Sequence, residues 1–521
     1  MSSCDKYLNV EPDNRVTIDT PDKVKQLLIN AYPNTDYSTV AELSADNFFD
    51  NTSPNASGLY YEVAPFDRMD DDIYAWIDPR SYTGDGDSPY DLWQRYYQSI
   101  ASANAALEAI DEIINKGVSN DDLTKILMPC KGEALVLRAY SHFMLVNIFS
   151  KAYKDAEKSK SDLGIRYVTA SINEVITESK RNSVAEVYEL IAKDIEDGID
   201  LIDDNLYDIK KYHFNKNAAH AFAAQFYLFK RDYPKVIAHA NAVLGTNPSG
   251  ILRNWTATYN NADQYAYSYF DADASANLLI LPTFSTFFRR FMNYRYGYNE
   301  TARKGNIDDS GPTWSSRAPF ATGWMWTFDS NYGSFMAKVL EQFEFTDKVA
   351  MIGYAHIVRT EYTTDATLLD RAEAYIFMNQ IDNAVADLQA WNASHKAATV
   401  LTRSVISNFY TPGKAYFSYE FHTQELSPEF TVTTEQKPFV DCVLHFRRLD
   451  RIFEGHRWFD IKRYGIELEH VIGHGASHVK LTYDDDRRAI QIPSDVVGAG
   501  VEPNPRSTTP LSSEIIPYKV D

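Results

Sequence analysis

Apolar residues recur along most of this chain at intervals of three and four, the spacing of amphipathic helices. Asp19 or Thr20 caps the first helix, Pro21 opens it, and Leu27, Leu28 and Ala31 form its stripe. The pattern returns from Trp93 to Ile114 through Tyr96, Tyr97, Ile100, Leu107, Ile110 and Ile114. A helix over Asp121–Phe149 follows, with a kink expected at Pro129, and then one over Val184–Ile202. Ala218–Phe229 and a helix opened by Pro234 that ends near Gly245 are joined by Lys230-Arg231-Asp232-Tyr233, which predicts an antiparallel helical hairpin. Helical patterns resume at Leu368–Phe377, Asn383–Ala393 and Pro438–Tyr464.

Two stretches break the period. Asn34 to Tyr90 is rich in Asp, Asn, Ser, Tyr and Gly and reads as long loops. From Gly250 to Phe345 aromatic and turn residues crowd together. Leu278–Thr283 there reads as a strand, and Tyr294, Tyr296, Tyr298, Trp314, Trp324 and Trp326 fall in irregular chain. A C-terminal hairpin is expected between Val479–Tyr483 and Ala489–Ile492, across Asp484-Asp485-Asp486.

The hairpin at 218–245 has a twin 148 residues later. Ala224, Tyr227, Leu228, Tyr233 and Ile237 correspond to Ala372, Tyr375, Ile376, Ile381 and Val385, and Leu137-Arg138-Ala139-Tyr140 repeats related wording. A small residue at the helix contact, a Tyr three later and a short turn make tetratricopeptide-style packing. The fold expected is all-α with minor β: helical-hairpin repeats forming one domain, with long ligand-binding loops. The scaffold would occupy about 92–245, 366–398 and 438–465, and the loops about 47–92 and 250–335.

Charge narrows the partners. The net charge of -21 and the absence of a basic run argue against nucleic acid and against anionic lipid. The longest apolar stretch, Leu135–Phe149, is broken by Arg138, Ser141, His142 and Asn147, so no membrane helix is expected. Cys130 and Cys442 lie in or beside helical patterns and read as buried thiols. Cys4 differs, because Ser2-Ser3-Cys4 resembles a bacterial lipoprotein cleavage site in which Met1 stands where a Leu usually does.

Several segments resemble the SusD/RagB family of surface glycan-binding lipoproteins. They are Cys4 to Pro12, Trp93 to Tyr97 with Ala103-Asn104, Glu133 to Tyr140, Arg371 to Tyr375, Ile490 to Pro493 and Asn504-Pro505. The most specific is Arg447-Arg448-Leu449 followed by Phe453-Glu454-Gly455-His456-Arg457-Trp458-Phe459-Asp460. Phe446 stands where the family usually has Glu, and Asp450-Arg451 where it has Glu-Leu. The resemblance implies a lipid tether at residues 1–18, lipidation of Cys4, and a single domain over 19–521 at the outer-membrane surface. It implies capture of an oligosaccharide for a SusC-like TonB-dependent transporter. A RagB-like peptide-binding role is the alternative, and an α-helical toroid glycosidase is the enzymatic one. From spacing alone, Glu454, Arg457 and Asp460 would share a helix face and pair, and Gly455 would mark a close backbone approach.

Enzymatic signals are weak. There is no phosphate loop, dinucleotide fingerprint or nucleophile elbow, so no catalytic residue and no cofactor is expected. Asp70-Asp71-Asp72, Asp85-Gly86-Asp87 and Asp484-Asp485-Asp486 read as solvated turns. His470, His474 and His478 are four apart, but Gly473 and Gly475 break the helix a metal face would need. The 35 Tyr and 8 Trp point instead to sugars, whose C–H faces stack on aromatic rings. Loops on a rigid scaffold concentrate binding groups. The expected ligand contacts are therefore Trp76 with Asp71, and Trp314, Trp324 and Trp326 with Tyr296 and Arg317. Trp324 and Trp326 would share one face of an extended segment.

Overall fold

A computed structural model describes residues 18–55, 57–78, 82, 86–171, 180–255, 265–292, 294–321, 325–329, 333–411 and 419–506. Its helices begin where the sequence places caps. Thr20 accepts from the Lys23 amide to open Pro21–Ile29, and Ser88 accepts from Asp91 to open Pro89–Lys116. Leu92, Tyr96, Ile100, Ala103 and Ile110 form the buried stripe of the longer helix. The next helical run starts at Asn120, and the break expected at Pro129 takes the form of a π turn at Leu123–Leu127 just ahead of Met128–Phe149. Met128–Phe149 is buried nearly all round, as its apolar sequence demands, and packs between Pro89–Lys116 and Val184–Gly198.

The repeats stand as paired helices. Lys216–Lys230 packs on Tyr233–Leu244, and Thr364–Phe377 on Ile381–Ser394. Ala224 and Ala372 are fully buried where the helices meet. Arg371 donates to both oxygens of Asp387 across its pair, at 2.8 and 2.7 Å. Arg138 does the same to Asp194 on Val184–Gly198, at 2.7 Å to each oxygen. The recurring Arg-Ala wording thus encodes one staple used twice. In the hairpin at 218–245 Ala223 and His239 stand at those positions, and Tyr227 stacks on His239 instead.

The strands are few, and most belong to the aromatic stretch. β1 (Phe49–Asp50) pairs with β3 (Tyr296–Gly297), and β2 (Asn277–Phe284) forms an antiparallel sheet in the order β2-β7-β6 with β6 (Gln342–Asp347) and β7 (Ile352–Thr363). β4 (Met325–Asp329) pairs with β5 (Gly333–Met336), and β8 (Leu468–Ile472) with β9 (Ser477–Leu481). The strand expected at Leu278–Thr283 is therefore present, whereas β6 begins in chain read as irregular and the long β7 follows just beyond it. The C-terminal hairpin is shifted: its strands join across Gly473-His474-Gly475-Ala476, because two glycines at positive φ make that turn. His470, His474 and His478 consequently lie on a hairpin, not on a helix.

The block read as one helix from Pro438 to Tyr464 is two, Lys437–Asp450 and His456–Tyr464. Between them Phe453 and Gly455 both adopt positive φ. A Cβ on Gly455 would lie 3.0 Å from both Ala41 and the Tyr37 ring, and the Gly455 amide donates to Glu42 at 2.9 Å. The expected close approach is real. The expected pairing of Glu454, Arg457 and Asp460 is not, because the turn throws them apart. Glu454 meets Arg451 and Lys338, Arg457 meets Asp46, and Asp460 meets Arg447 and Arg463. Arg447 also binds Asp370 and, at 2.7 Å, Glu373, which takes a second arginine from Arg463 and the Tyr464 hydroxyl. Burial opposes ionisation of Glu373, but Arg463 and Arg447 outweigh it and hold its carboxyl well below the usual range.

Asp70-Asp71-Asp72 is not a solvated turn either. It lies buried in helix Arg68–Tyr74, where Arg290 pairs with Asp70, Arg295 with Asp71 and Arg68 with Asp72. Asp87 is buried, and its carboxylate accepts from the Thr286 amide and the Ser285 hydroxyl. Cys130 and Cys442 are buried free thiols.

Two stability outcomes follow from these interior charges. Glu373→Gln leaves Arg447 and Arg463 short of countercharge and should cost about 3–5 kcal/mol in urea unfolding. Lys125→Ala, which opens the exposed pair with Asp121, should cost under about 0.5 kcal/mol. Equal losses in both variants would refute the weight given to the buried cluster. The second outcome concerns Glu42, which burial pushes up to about 7 although Asn47 and the Gly455 amide donate to it. The folded chain then binds a proton that the unfolded chain has released between pH 4.5 and 7. This group's stabilisation is complete below pH 4.5 and is lost as pH rises towards 7. Glu42→Gln should change the slope of stability against pH in that window by about 1.4 kcal/mol per unit, and an unchanged slope would show that Glu42 ionises normally.

Candidate functional site

The short β1–β3 pair gathers three surface segments. Asp50 is buried and accepts from Arg295 Nε and Nη2 at 3.1 and 2.9 Å, from the Thr52 amide at 2.9 Å and from the Gly473 amide at 2.9 Å. One carboxylate thereby ties the 50–53 turn, the start of β3 and the β8–β9 turn together. Asn51 extends the tie: its carbonyl accepts from Tyr61 N at 2.7 Å, and its side-chain amide donates to Tyr294 O at 3.2 Å. The Arg295 amide donates to Ala64 O at 3.2 Å, so residues 59–66 run beside 294–296.

A ledge of exposed aromatic rings results. Tyr60 is 53% exposed, and Leu59, Tyr61 and Tyr294 are exposed too. Phe66 meets Tyr294 edge-on at 5.1 Å. His474, at the tip of the β8–β9 turn, meets Tyr60 edge-on at 5.5 Å and places Nε2 3.3 Å from Glu62. Flat apolar faces thus stand beside a carboxylate, an imidazole and phenol hydroxyls.

Beneath the ledge lies a column of stacked rings. His470 is sandwiched between Tyr74 at 4.1 Å and Trp76 at 4.0 Å, and Tyr74 packs on Tyr296 at 4.3 Å. Trp76 donates to Ser44 O at 3.2 Å, and the Tyr296 hydroxyl donates to Asp71 at 2.8 Å. Burial raises the carboxyl of Asp71 against the pull of Arg295. Trp76 is only 4% exposed, and Asp71 and Tyr296 are buried too. These three were expected to contact ligand directly, and that expectation is corrected, since all three are buried and both rings pack inside. They support the surface rather than form it.

The other expected contacts divide. Trp314 is half-buried: its ring lies across Gly311 and packs near Phe446, and its Nε1 donates to Asp309 O at 3.1 Å. Arg317 is exposed and pairs with Asp308 at 2.8 Å. Trp326 lies on β4 opposite Phe335. Trp324 and Cys4 lie outside the described residues. Sequence reasoning missed Tyr60, Tyr61, Tyr294 and His474 as site residues. Tyr60-Tyr61 between Gly58 and Glu62 was the available signal.

Among the described residues one buried group has ligand atoms close enough for a metal: Asp365, His395 and Asp450, all within 4.8 Å of one another. Nδ1 of His395 donates to Trp391 O at 2.8 Å, which turns Nε2 towards the carboxylates, 3.4 Å from Asp450. The group lies inside the protein where Lys437–Asp450 meets the repeat helices, and Asp365 there also accepts from the Arg253 amide at 3.0 Å.

A SusD-like family described as starch-binding and associating with the outer membrane matches residues 6–228. SusD-like protein P38 of Formosa agariphila is 25% identical over 267 residues, covering 49% of this chain and 44% of that protein, so the match spans less than half of that relative's length. A SusD superfamily structure from Bacteroides vulgatus matches 94% of this chain and 100% of its own, with a TM-score of 0.64 at 18% identity. A laminarin-binding SusD-like protein matches 92% and 97% of the two chains, with a TM-score of 0.54 at 16% identity. The N-terminal part of the chain is thus similar in sequence to SusD-like proteins, and nearly all of the chain shares the fold of SusD superfamily structures.

Proposed function

We propose that this chain captures an oligosaccharide on the Tyr60–Tyr61–Tyr294–His474 ledge and passes it to a SusC-like TonB-dependent transporter of the outer membrane, itself catalysing nothing. The observation that carries the reading is the ledge: open rings with polar edges, fixed from below by a packed column. A rigid ring loses little entropy on binding, and its face matches the C–H face of a pyranose. The similarity to a SusD-like family described as starch-binding supports a glycan ligand, and the fold shared with a laminarin-binding SusD-like protein makes laminarin the first to try. Trp314, Trp324, Trp326 and Arg317 remain candidates for extending the surface. No membrane-crossing helix occurs among the described residues. The attachment proposed is a lipid on Cys4, with residues 1–18 as tether, and several acyl chains hold a protein firmly where one does not.

The ledge is tested by calorimetry with laminarin oligosaccharides and starch-derived maltooligosaccharides, preceded by a glycan array. Tyr60→Ala and Tyr294→Ala should each weaken binding about tenfold, the worth of one stacked ring, with melting almost unchanged. Trp76→Ala should instead cost about 3–5 kcal/mol of stability. Wild-type protein that binds nothing on the array, or ledge variants that bind as wild type does, would sink the site. For the tether, native full-length protein should fractionate with the outer membrane and Cys4→Ala should release it in folded form. A Cys4→Ala protein that stays bound in cells lacking the transporter would rule out lipid as the anchor.

A further inference from the structure

The β6–β7 hairpin leaves the body of the protein with its core face uncovered. Along β7 the side chains of Arg359, Ile357 and Ala355 point inward and are buried. β2 ends at Phe284, opposite His356, so beyond that pair the sheet is two strands with no third. The residues that continue the inward face past this point are Phe343, opposite Ala355, and Phe345, opposite Gly353. Both are exposed. Their rings pack on each other at 4.9 Å, and Phe343 lies across Gly353, where a Cβ would come within 2.7 Å of the ring. The tip adds Val349 at 96% exposure and Met351 at 67%, followed by Ile352.

The turn itself is built at a cost. Asp347 Oδ1 accepts from the amides of Val349 and Ala350, and Met351 takes φ 56°, a region where a long side chain is disfavoured and Gly or Asn would sit freely. An apolar side chain kept at a strained, open position conflicts with folding considerations alone.

We infer that this hairpin is an anchor that inserts into an apolar, basic-rimmed cleft on the outward face of the transporter, deepening the partnership proposed above and resting on it. Area and charge select this occupant. The five side chains expose on the order of 500 Å², about the share of one partner in the smallest specific interfaces. That is thin for a self-standing dimer and ample for the centre of a larger contact. Glu344 and Asp347 outnumber Lys348 at this end of the hairpin, so two copies paired along the β6 edge would meet acid against acid, a repulsion that a basic rim converts into attraction. The same acids, in a chain of net charge -21, disfavour an anionic lipid surface.

The experiment is co-purification of full-length protein from native outer membranes in mild detergent, with the TonB-dependent barrel identified by mass spectrometry. A photocrosslinking residue at position 349 is used in parallel. The double variant Val349→Asp, Met351→Asp should recover at least tenfold less barrel than wild type, with melting and glycan binding unchanged, and position 349 should crosslink to the barrel. Equal recovery of barrel by variant and wild type would overturn the anchor and leave the transporter partnership standing. Crosslinks only to a second copy or to lipid would also overturn it. Wild-type protein that brings down no barrel would refute the partnership itself.

Discussion

An arginine taken out of water costs several kcal/mol unless carboxylates and carbonyls meet its guanidinium on every side. This fold buries five within one stretch of seventeen residues: Arg447, Arg448, Arg451, Arg457 and Arg463. Their partners arrive from distant parts of the chain. Arg447 and Arg463 take Asp370 and Glu373 from the second repeat, and Arg451 takes the carbonyls of Thr360 and Glu361 from β7. Arg448 and Arg457 take Asn47 and Asp46, just ahead of β1. The stretch therefore works as a hub: each segment is placed because a buried charge would otherwise stand alone.

The position of the ledge follows from that hub. Asp46 and Asn47 fix where β1 begins, Asp50 fixes Arg295 and the β8–β9 turn, and Asn51 carries Tyr61 and Tyr294. The sequence at 447–463 is thus structural at close range and sets the position of the ledge at long range. The departure at Asp450-Arg451 is also accounted for. Asp450 accepts from Trp391 Nε1 at 3.0 Å and lies 3.4 Å from His395, and Arg451 spans β7 and Glu454, so these residues supply local partners of their own.

Helices were legible because their signal is local. A cap at Thr20, a stripe through Tyr96, Ile100 and Ile110 and a repeat 148 residues apart need no knowledge of distant chain. The ledge was not legible for the converse reason. Trp76 among aspartates looks open until Arg290 and Arg295, more than 200 residues away, neutralise Asp70 and Asp71 and let the segment sink. Burial of a loop is decided by its nonlocal countercharges. Sequence gave Tyr60 and Trp76 the same kind of setting, and the fold put one above the floor and the other in it. The β6–β7 hairpin did leave a trace, the alternation Phe343-Glu344-Phe345-Thr346, but such alternation ordinarily means that the apolar phase is buried.

The two open apolar surfaces are chemically unlike, and the difference bears on what each can hold. On the ledge every ring has a polar neighbour: His474 and Glu62 beside Tyr60, and the phenol hydroxyls themselves. A sugar's hydroxyls need such partners at the margin of each stacked face, since a buried hydroxyl without one is costly. The hairpin offers Phe343, Phe345, Val349 and Met351 with its nearest acids, Glu344 and Asp347, turned to their own contacts: Glu344 accepts from Tyr354 and Asp347 from the turn amides. A hydroxyl-rich ligand laid on that tip would lose water and gain little in return. A protein cleft brings apolar side chains to match the apolar ones and loses nothing by drying the contact, so the same polypeptide can present one face to carbohydrate and another to protein without competition between them.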